Sequence, residues 1–427
     1  MNQLKISIQT LGCKVNHHES EKLISDFQTL GYQIASANES ADICIINSCT
    51  VTSVADAKTR QKIRQARSKN PNAFVCVIGC MPEVSFDTVS EMQEVDLVIG
   101  NKNKEDTAHL IAQRFPVQNQ SAPSSVDMHG SRSRAFLKIE DGCDRYCTYC
   151  IIPYARGPVS SKPTDEVISE VRSCLEAGYL EIVLSGINLA LYGKDLTGSE
   201  EKPTSLYDLL LQLTTLENEQ NYRIRLGSLE PTVLTPNEAS AIASIPGICP
   251  QFHLSLQSGS NNTLKAMGRN YDTKTYLETI QSLRRIDPNF AITTDVIVGF
   301  PGETDADFEE SLNFVRAACF SKTHVFPYSK REGTLAAEMD GQIPDHVKKI
   351  RTKMMIEAAN EGARKFFDGC IGQARNTLIF GHDKQGLIRG LTDNGIDIRF
   401  AGADTDTPAS NSITSLTVTR ENIYSLE

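Results

Sequence analysis

The chain has 427 residues, 40% hydrophobic and 22% charged, proportions that build real cores and exclude disorder for the bulk. At roughly 150 residues per domain this length suggests about three domains, and no apolar run approaches the roughly 18 residues of a membrane span. A formal net charge of -10 argues against indiscriminate nucleic-acid binding, although phosphate affinity rests on local Lys and Arg contacts that a net charge does not exclude. The start, MNQLKISIQT, lacks the basic opening and apolar stretch of a secretory signal, which predicts a cytoplasmic chain. Its 12 cysteines are then read as reduced thiols, and closely spaced thiols in a reducing compartment point to metal binding or catalysis.

Apolar runs at 4–9, 42–47, 74–78 and 95–99 alternate with helical patterns at 19–30 and 54–69, which predicts a parallel sheet with helices on its faces. Asn16 followed by Glu19 resembles a helix N-cap with its reciprocal partner, placing Cys13 in the preceding loop. Residues 116–133, rich in Pro, Ser and polar groups, read as a linker. Six strand-like runs follow, near Phe136, Ile182, Ile224, Leu254, Val296 and Val325, mostly separated by helical stretches such as 165–177 and 305–318. They predict a curled parallel sheet or a barrel short of eight units. A long basic amphipathic helix over 345–367 precedes a tail that alternates Val, Ile, Leu and Thr with turns, a small all-β module. The fold class is therefore α/β: a parallel-sheet domain over 1–115, the linker, a partial (β/α)6 barrel with trailing helix over 134–370, and a β domain over 371–427.

The strongest signal is GCDRYCTYC, with Cys143, Cys147 and Cys150 separated by three and then two residues. Clustered thiolates suit soft metals, chiefly zinc or an iron–sulfur cluster. A structural zinc wants four ligands, whereas a [4Fe–4S] cluster on three cysteines keeps one iron open. Cys13, Cys49 and Cys80 each follow a predicted strand, in TLGC, INSC and VIGC. Ligands in open α/β sheets converge beyond such strand ends, but spacings this long fit buried or loop thiols equally well. Cys44 and Cys76, inside strands, read as core thiols.

The stretch KIEDGCDRYCTYCIIPYARGP resembles the signature loop of radical S-adenosylmethionine enzymes. That resemblance implies a cluster whose open iron chelates S-adenosylmethionine and whose electron cleaves it to a 5′-deoxyadenosyl radical. LGCKVNHHESE, INSCTVT and VIGCMPE are similar to the N-terminal domain of the methylthiotransferases, which implies a second [4Fe–4S] cluster on Cys13, Cys49 and Cys80. The likeness continues through LSGINLALYG, LGSLEP, HLSLQSGSNNTLKAMGRNY, DVIVGFPGET and HVFPYSKREGT to a tail like the family's RNA-binding TRAM domain. GCKVNHHESE, LSGINLALYG and HVFPYSKREGT look most like the branch acting on tRNA N6-threonylcarbamoyladenosine. By that resemblance adenine C2 is methylthiolated next to the anticodon, with no side chain acting as general acid or base, and tRNA, an electron donor and a sulfur source are the partners. N6-isopentenyladenosine or a ribosomal-protein aspartate are other substrates within this chemistry, and a non-catalytic iron–sulfur or zinc protein that binds RNA is the rival from another class.

Cofactor-contacting candidates come from alternation and from loops. Phe252, Leu254 and Leu256 alternate with His253, Ser255 and Gln257, which gives one strand a polar face fit for a lumen holding a charged cofactor, or for solvent. Arg223 and Arg225 share a face and either pair with Glu230 or reach a carboxylate or phosphate. Gly186 and Asn188 follow a strand where the superfamily's cofactor loop lies. Lys58, Arg60, Lys62, Arg64, Arg67 and Lys69 cluster after Cys49, either as a solvated helix face or as an RNA contact, and Lys348, Lys349, Arg351 and Lys353 form a second basic cluster. The tail from Ile371 to Glu427 holds 5 Lys/Arg against 7 Asp/Glu, so it lacks the basic character that phosphate binding favours.

Overall fold

The computed structural model describes residues 4–36, 39–117, 133–196, 205–216, 221–231, 233–402 and 408–424. Residues 118–132, nearly all of the predicted linker, lie outside them. The chain divides into two compact units.

The first unit takes in Met1–Gly130 together with Gly142–Pro158 and Ser329–Ala337. Its frame is a parallel sheet of β1 (Lys5–Thr10), β2 (Gln33–Ile34), β3 (Ile43–Ser48), β4 (Phe74–Gly79) and β5 (Leu97–Gly100), in the order β2-β1-β3-β4-β5. The central strands read ICIINS and FVCVIG, apolar in both phases, because helices cover both faces. Ile43, Ile45, Cys76 and Ile78 pack toward Leu23 and Phe27, while Cys44, Ile46, Val75 and Val77 pack toward Ile63. Cys44 and Cys76 are thus core thiols, and burial pushes Cys76 up to about 12. The first helix corrects the sequence reading: it runs Lys14–Thr29 with Cys13 at its N-cap, and Asn16 lies inside the first turn. The Asn16 side chain does not cap; its amide donates to the carbonyls of Leu11 at 2.8 Å and Ser48 at 2.9 Å, across the sheet edge.

The second unit takes in Ser131–Asp141, Val159–Tyr328 and Glu338–Glu427. Its strands are β6 (Arg134–Lys138), β7 (Glu140–Asp141), β8 (Ser160–Ser161), β9 (Glu181–Ser185), β10 (Arg223–Leu226), β11 (Ser228–Leu229), β12 (Gln251–Leu254), β13 (Ala291–Val298) and β14 (Lys322–Pro327). The six predicted barrel strands, β6, β9, β10, β12, β13 and β14, lie with the two-residue β11 in two parallel sheets, β10-β9-β6 and β11-β12-β13-β14. A single bridge from Ile224 to Ile248 spans the break between them. Three of the crossover helices begin where the sequence supplies reciprocal caps: Ser205 with Asp208, Thr235 with Glu238, and Thr304 with Asp307. Each cap satisfies backbone donors that a helix start leaves unpaired.

The trailing helix, Asp345–Cys370, runs into an antiparallel sheet of β15 (Ala374–His382), β16 (Ile388–Thr392), β17 (Asp397–Phe400) and β18 (Ser412–Thr417), in the order β17-β16-β15-β18. Phe366, Phe367 and Cys370 at the helix end pack with Ile396, Ile398 and Val418 of this module. Arg351 of the same helix corrects the second basic cluster: it is buried, bonded to Glu303 and Asp305 at 2.7 Å each, and so is a structural cation.

Arg225 is a second correction. It pairs with Glu181, not Glu230, and all five of its N–H donors are taken: two by Glu181, and one each by Gln251, the Thr392 carbonyl and the Asp393 carbonyl. None is left for a cofactor. Arg223 joins Glu181 at 2.6 Å and donates to the carbonyls of Asn376 and Leu391. Arg134, Glu181, Arg223 and Gln251 open β6, β9, β10 and β12, so this network closes the N-terminal rim of the barrel, opposite the rim where such barrels bind ligands. Burial alone would raise the Glu181 carboxyl, but Arg225, Arg134 and Arg223 outweigh it and hold the group far below the carboxylate range.

A depressed carboxyl contributes stability above its ordinary value of 4.5 that is lost as pH falls below it. Glu181→Gln is therefore expected to cost about 3–5 kcal/mol at neutral pH, by leaving buried guanidiniums uncompensated. Urea melts at pH 7 and pH 3 check this, because the gap between variant and parent narrows at the lower pH.

Candidate metal centres and polar lumen

In the first unit β1, β3 and β4 are neighbours in the sheet, and each runs out within three residues of its end into Cys13, Cys49 or Cys80. Parallel strands deliver their carboxyl ends to one edge, so three cysteines far apart in sequence are carried to the same edge of the sheet. Cys13 is exposed, while Cys49 and Cys80 are buried. The fit is close: a Cβ on Gly12, at φ +104°, would fall 2.6 Å from Cys49 Cβ and 2.8 Å from its sulfur. Burial pushes the Cys49 thiol up to about 11, with the Val51 amide opposing and with Cys80 and Cys13 adding to the rise through their charge.

Cys143, Cys147 and Cys150 belong to the same unit, in the segment Gly142–Pro158. The loop is pinned at its neck, where Cys143 N–H donates to the Gly157 carbonyl at 3.1 Å. A side chain on Gly142 would collide with the Pro158 carbonyl. Tyr146 takes a left-handed φ of 45° between the first two cysteines, and Cys150 N–H donates to the Cys147 carbonyl at 2.9 Å. The short helix Ile152–Arg156 follows directly.

None of the 12 cysteines, all within the described residues, forms a disulfide. Among the described residues no three His, Cys, Asp or Glu side chains are grouped to hold a single ion. The donor chemistry is two trios of thiols, each one ligand short of a closed four-coordinate site, and a trio of thiolates suits an iron–sulfur cluster with one open iron.

A buried polar network joins the two trios. Arg156 donates to Asn16 Oδ1 at 2.5 Å and to Glu19 at 3.3 Å, and Lys104 pairs with Glu19 at 2.5 Å. Asn101 accepts from Lys104 at 2.8 Å and donates to the Ala155 carbonyl at 2.6 Å and to Cys80 Sγ at 3.2 Å. Cys13 Sγ lies 3.8 Å from Asn16 Oδ1. Sequence reasoning missed this set because it read Asn16 and Glu19 as a local cap; the available signal was an Arg inside the cysteine loop, which burial obliges to find an acid. Arg331, from SKREGT, braces the loop after Cys49 by bonding Asp56 and Thr50 at 2.6 Å each.

In the second unit the alternation holds: Phe252, Leu254 and Leu256 are buried while His253, Ser255 and Gln257 are partly exposed. His253 is held by Thr293 at 3.0 Å and Asp295 at 3.3 Å. Gln257 sits at φ 65° with its N–H on the Asp295 carbonyl, and the Ser255 carbonyl accepts from Arg269 and Tyr271. Gly186 and Asn188 follow β9. A Cβ on Gly186 would lie 2.5 Å from Glu140 Oε2, which accepts from Asn188 N–H at 2.7 Å. Asn188 also bonds Glu230 through both ends of its amide, and Glu230 pairs with Arg269 at 3.4 Å. Glu140, Glu230, Arg269 and Asp295 are thus polar partners at strand ends and lumen positions that periodicity did not single out.

Lys58, Arg60, Lys62 and Arg64 lie on the helix Ser53–Lys69. Lys58, Lys62 and Arg64 are exposed and Arg60 half-buried, and Arg60 and Arg64 line a shallow groove with Gln61, Gln65 and Lys69. Among the described residues the only acid that Arg64 meets is Glu94, at 3.8 Å. Arg67 is different, bonded to Asp96 and the carbonyls of Pro71, Ala73 and Glu94. No helix among the described residues is long and apolar enough to cross a membrane.

Residues 5–100 match the family described as uncharacterized protein family UPF0004, and residues 137–315 match the radical SAM superfamily. The chain is 36% identical over 415 residues to the threonylcarbamoyladenosine tRNA methylthiotransferase of Bacillus subtilis, covering 93% of this chain and 91% of the relative. The relative of the same name in Thermotoga maritima is 36% identical over 406 residues, with the same coverage. The tRNA-2-methylthio-N(6)-dimethylallyladenosine synthase of Clostridium botulinum is 34% identical over 440 residues, covering 98% of this chain and 95% of that one. In fold, the radical S-adenosylmethionine methyltransferase TsrM from Kitasatospora setae matches with a TM-score of 0.57 at 13% identity, over 79% of this chain and 77% of that one.

The packing of Gly12 against Cys49 is testable by a paired substitution. Gly157, at φ 81° and ψ -166°, has nothing within 4 Å of the place a methyl group would take, so Gly157→Ala is expected to cost only the strain of a backbone region all but reserved to glycine, about 1–3 kcal/mol. Gly12→Ala adds overpacking against Cys49, a further cost of about 1–3 kcal/mol. Denaturant midpoints of the two variants check the difference.

Proposed function

The chain belongs to the tRNA methylthiotransferases of the radical S-adenosylmethionine superfamily, and from that premise we propose that it methylthiolates adenine C2 of N6-threonylcarbamoyladenosine beside the anticodon. It is an enzyme that transfers a methylthio group to tRNA, with S-adenosylmethionine and two [4Fe–4S] clusters as cofactors. In our reading Cys143, Cys147 and Cys150 hold the cluster at which S-adenosylmethionine binds, and Cys13, Cys49 and Cys80 hold the second. Bound there, the clusters supply the electron for reductive cleavage of S-adenosylmethionine and the sulfur for transfer, chemistry that purine C2 requires because it carries no proton acidic enough for a general base. The observation that carries the proposal is that all six cysteines belong to one compact unit, tied together through Asn16, Asn101 and Arg156.

The protein's own side chains bind and orient. Gly186 lets Glu140 pack against the backbone after β9, and Asn188 is held by Glu140 and Glu230, so these positions with Ser255 and Gln257 are the contacts we assign to S-adenosylmethionine. Lys58, Arg60, Lys62 and Arg64 supply the phosphate contacts. An electron donor and a sulfur source complete the reaction in a reducing cytoplasm. The threonylcarbamoyl group is preferred because the relatives from Bacillus subtilis and Thermotoga maritima carry that substrate in their names. The likeness to the Clostridium botulinum dimethylallyladenosine enzyme is the observation behind the second reading.

Reconstituted without oxygen and given dithionite, S-adenosylmethionine and tRNA, the chain is expected to release 5′-deoxyadenosine and form the 2-methylthio-threonylcarbamoyl nucleoside. Cys143→Ala abolishes both products, whereas Cys13→Ala keeps 5′-deoxyadenosine and loses the modified nucleoside. Product formed only on tRNA carrying the dimethylallyl group, by nucleoside mass spectrometry, moves the substrate to the second reading. For the basic helix, reversing Lys58, Arg60, Lys62 and Arg64 to Glu is expected to weaken tRNA binding about tenfold or more and to flatten its salt dependence by up to about 0.9 per lost phosphate contact. Filter binding across a salt series, with circular dichroism as the folding control, measures both.

A further inference from the structure

Asn101 is placed for more than packing. Its amide is oriented without ambiguity: Lys104 Nζ, which only donates, lies 2.8 Å from Oδ1, and the Ala155 carbonyl, which only accepts, lies 2.6 Å from Nδ2. The remaining Nδ2 hydrogen is thereby aimed at Cys80 Sγ, 3.2 Å away. Behind it, Lys104 and Arg156 share the carboxylate of Glu19, and all three side chains are at least nine-tenths buried. The nearby acid Glu83 is matched by Lys102 at 3.2 Å. A buried amide donor fixed on both sides by charged and backbone groups is costly to assemble against a neutral thiol, which asks for no such partner. Against a thiolate it forms a charge-assisted hydrogen bond, about twice as strong as a neutral one.

We propose that Asn101 is a positioning residue for the second cluster: it donates to the Cys80 sulfur, fixes that ligand's orientation, and raises the cluster's reduction potential. Hydrogen bonds to ligating sulfur and charge in the surroundings are the levers by which a protein tunes such a group. The same amide grips the Ala155 carbonyl, in the segment that follows Cys150, so it also ties the Cys80 ligand to the loop of the other trio. This inference rests on the reading that Cys13, Cys49 and Cys80 hold a cluster.

The test uses the full-length chain carrying Cys143→Ala, Cys147→Ala and Cys150→Ala, in which only the second cluster is retained. Its midpoint potential is measured by redox titration followed by electron paramagnetic resonance. Asn101→Leu and Asn101→Asp are expected to lower the potential so that, at a fixed applied potential, the reduced-to-oxidised ratio falls about tenfold, equivalent to about 59 mV for one electron. Lys69→Gln, exposed at the far end of the helix Ser53–Lys69, leaves it unchanged. Loss of iron and sulfide from an Asn101→Leu chain that keeps its circular dichroism supports the same conclusion. Asn101→Ser, too short to reach the sulfur, replaces the leucine variant if that does not fold. Equal potentials in parent and folded Asn101 variants overturn the proposal. A triple-alanine background that assembles no cluster overturns the cysteine assignment beneath it, which separates the two failures.

Discussion

The structure depends on one constraint: parallel strands deliver their carboxyl ends to a common edge. Because β1, β3 and β4 are adjacent in the sheet, cysteines at 13, 49 and 80 share one sheet edge although dozens of residues separate them. The sheet can be parallel only because helices cover both its faces, so the burial of Ile45, Ile46, Val77 and Ile78 is what carries the three thiols to one edge. Gly12 and Gly79, with φ near +100°, then turn the chain sharply enough for sulfur to sit where strand gives way to helix.

Placing thiols at a buried edge creates an electrostatic problem that the first unit solves with side chains distant in sequence. Burial disfavours a thiolate, as the rise at Cys49 records. Hydrogen-bond donors and paired cations favour it. Asn101, Lys104 and Arg156 converge on this edge, the turn Asn101–Asp106 supplying the first two and the helix Ile152–Arg156 the third. Glu19 holds the cations in place without removing them from the site.

These partners mark the limit of what the chain reveals by pattern alone. The alternation of strand and helix, the six barrel strands and the all-β tail follow from local periodicity, which acts within a few residues; the strand order does not. The cysteine loop was legible for the same reason, since its spacing is local. Asn16 and Glu19 mimic a cap in sequence, yet tertiary contacts took both side chains, and the helix began earlier at Lys14. Arg225 shares a strand face with Arg223 as alternation predicts, but periodicity states a face and not a partner. That partner, Glu181, lies on the neighbouring strand, and the remaining acceptors include the carbonyls at 392 and 393. Arg351 likewise reads as one of a basic cluster until Glu303 and Asp305 are found beside it.

The two rims of the barrel illustrate how charge divides labour in one unit. At the N-terminal rim Glu181 is matched by three guanidiniums, and the surplus donors are satisfied by carbonyls of the C-terminal module. That rim is saturated, so it joins modules and holds the barrel's shape. At the opposite rim Glu140, Asn188 and Glu230 place acceptors and amides around strand ends, and the lumen-facing His253, Ser255 and Gln257 keep partial exposure. A polar rim bounded by apolar strand faces is where a charged small molecule gains most from few contacts. The acidic balance of the tail fits the same division: the carbonyls of Asn376, Leu391, Thr392 and Asp393 serve the barrel's arginines. This work needs backbone geometry and no positive charge.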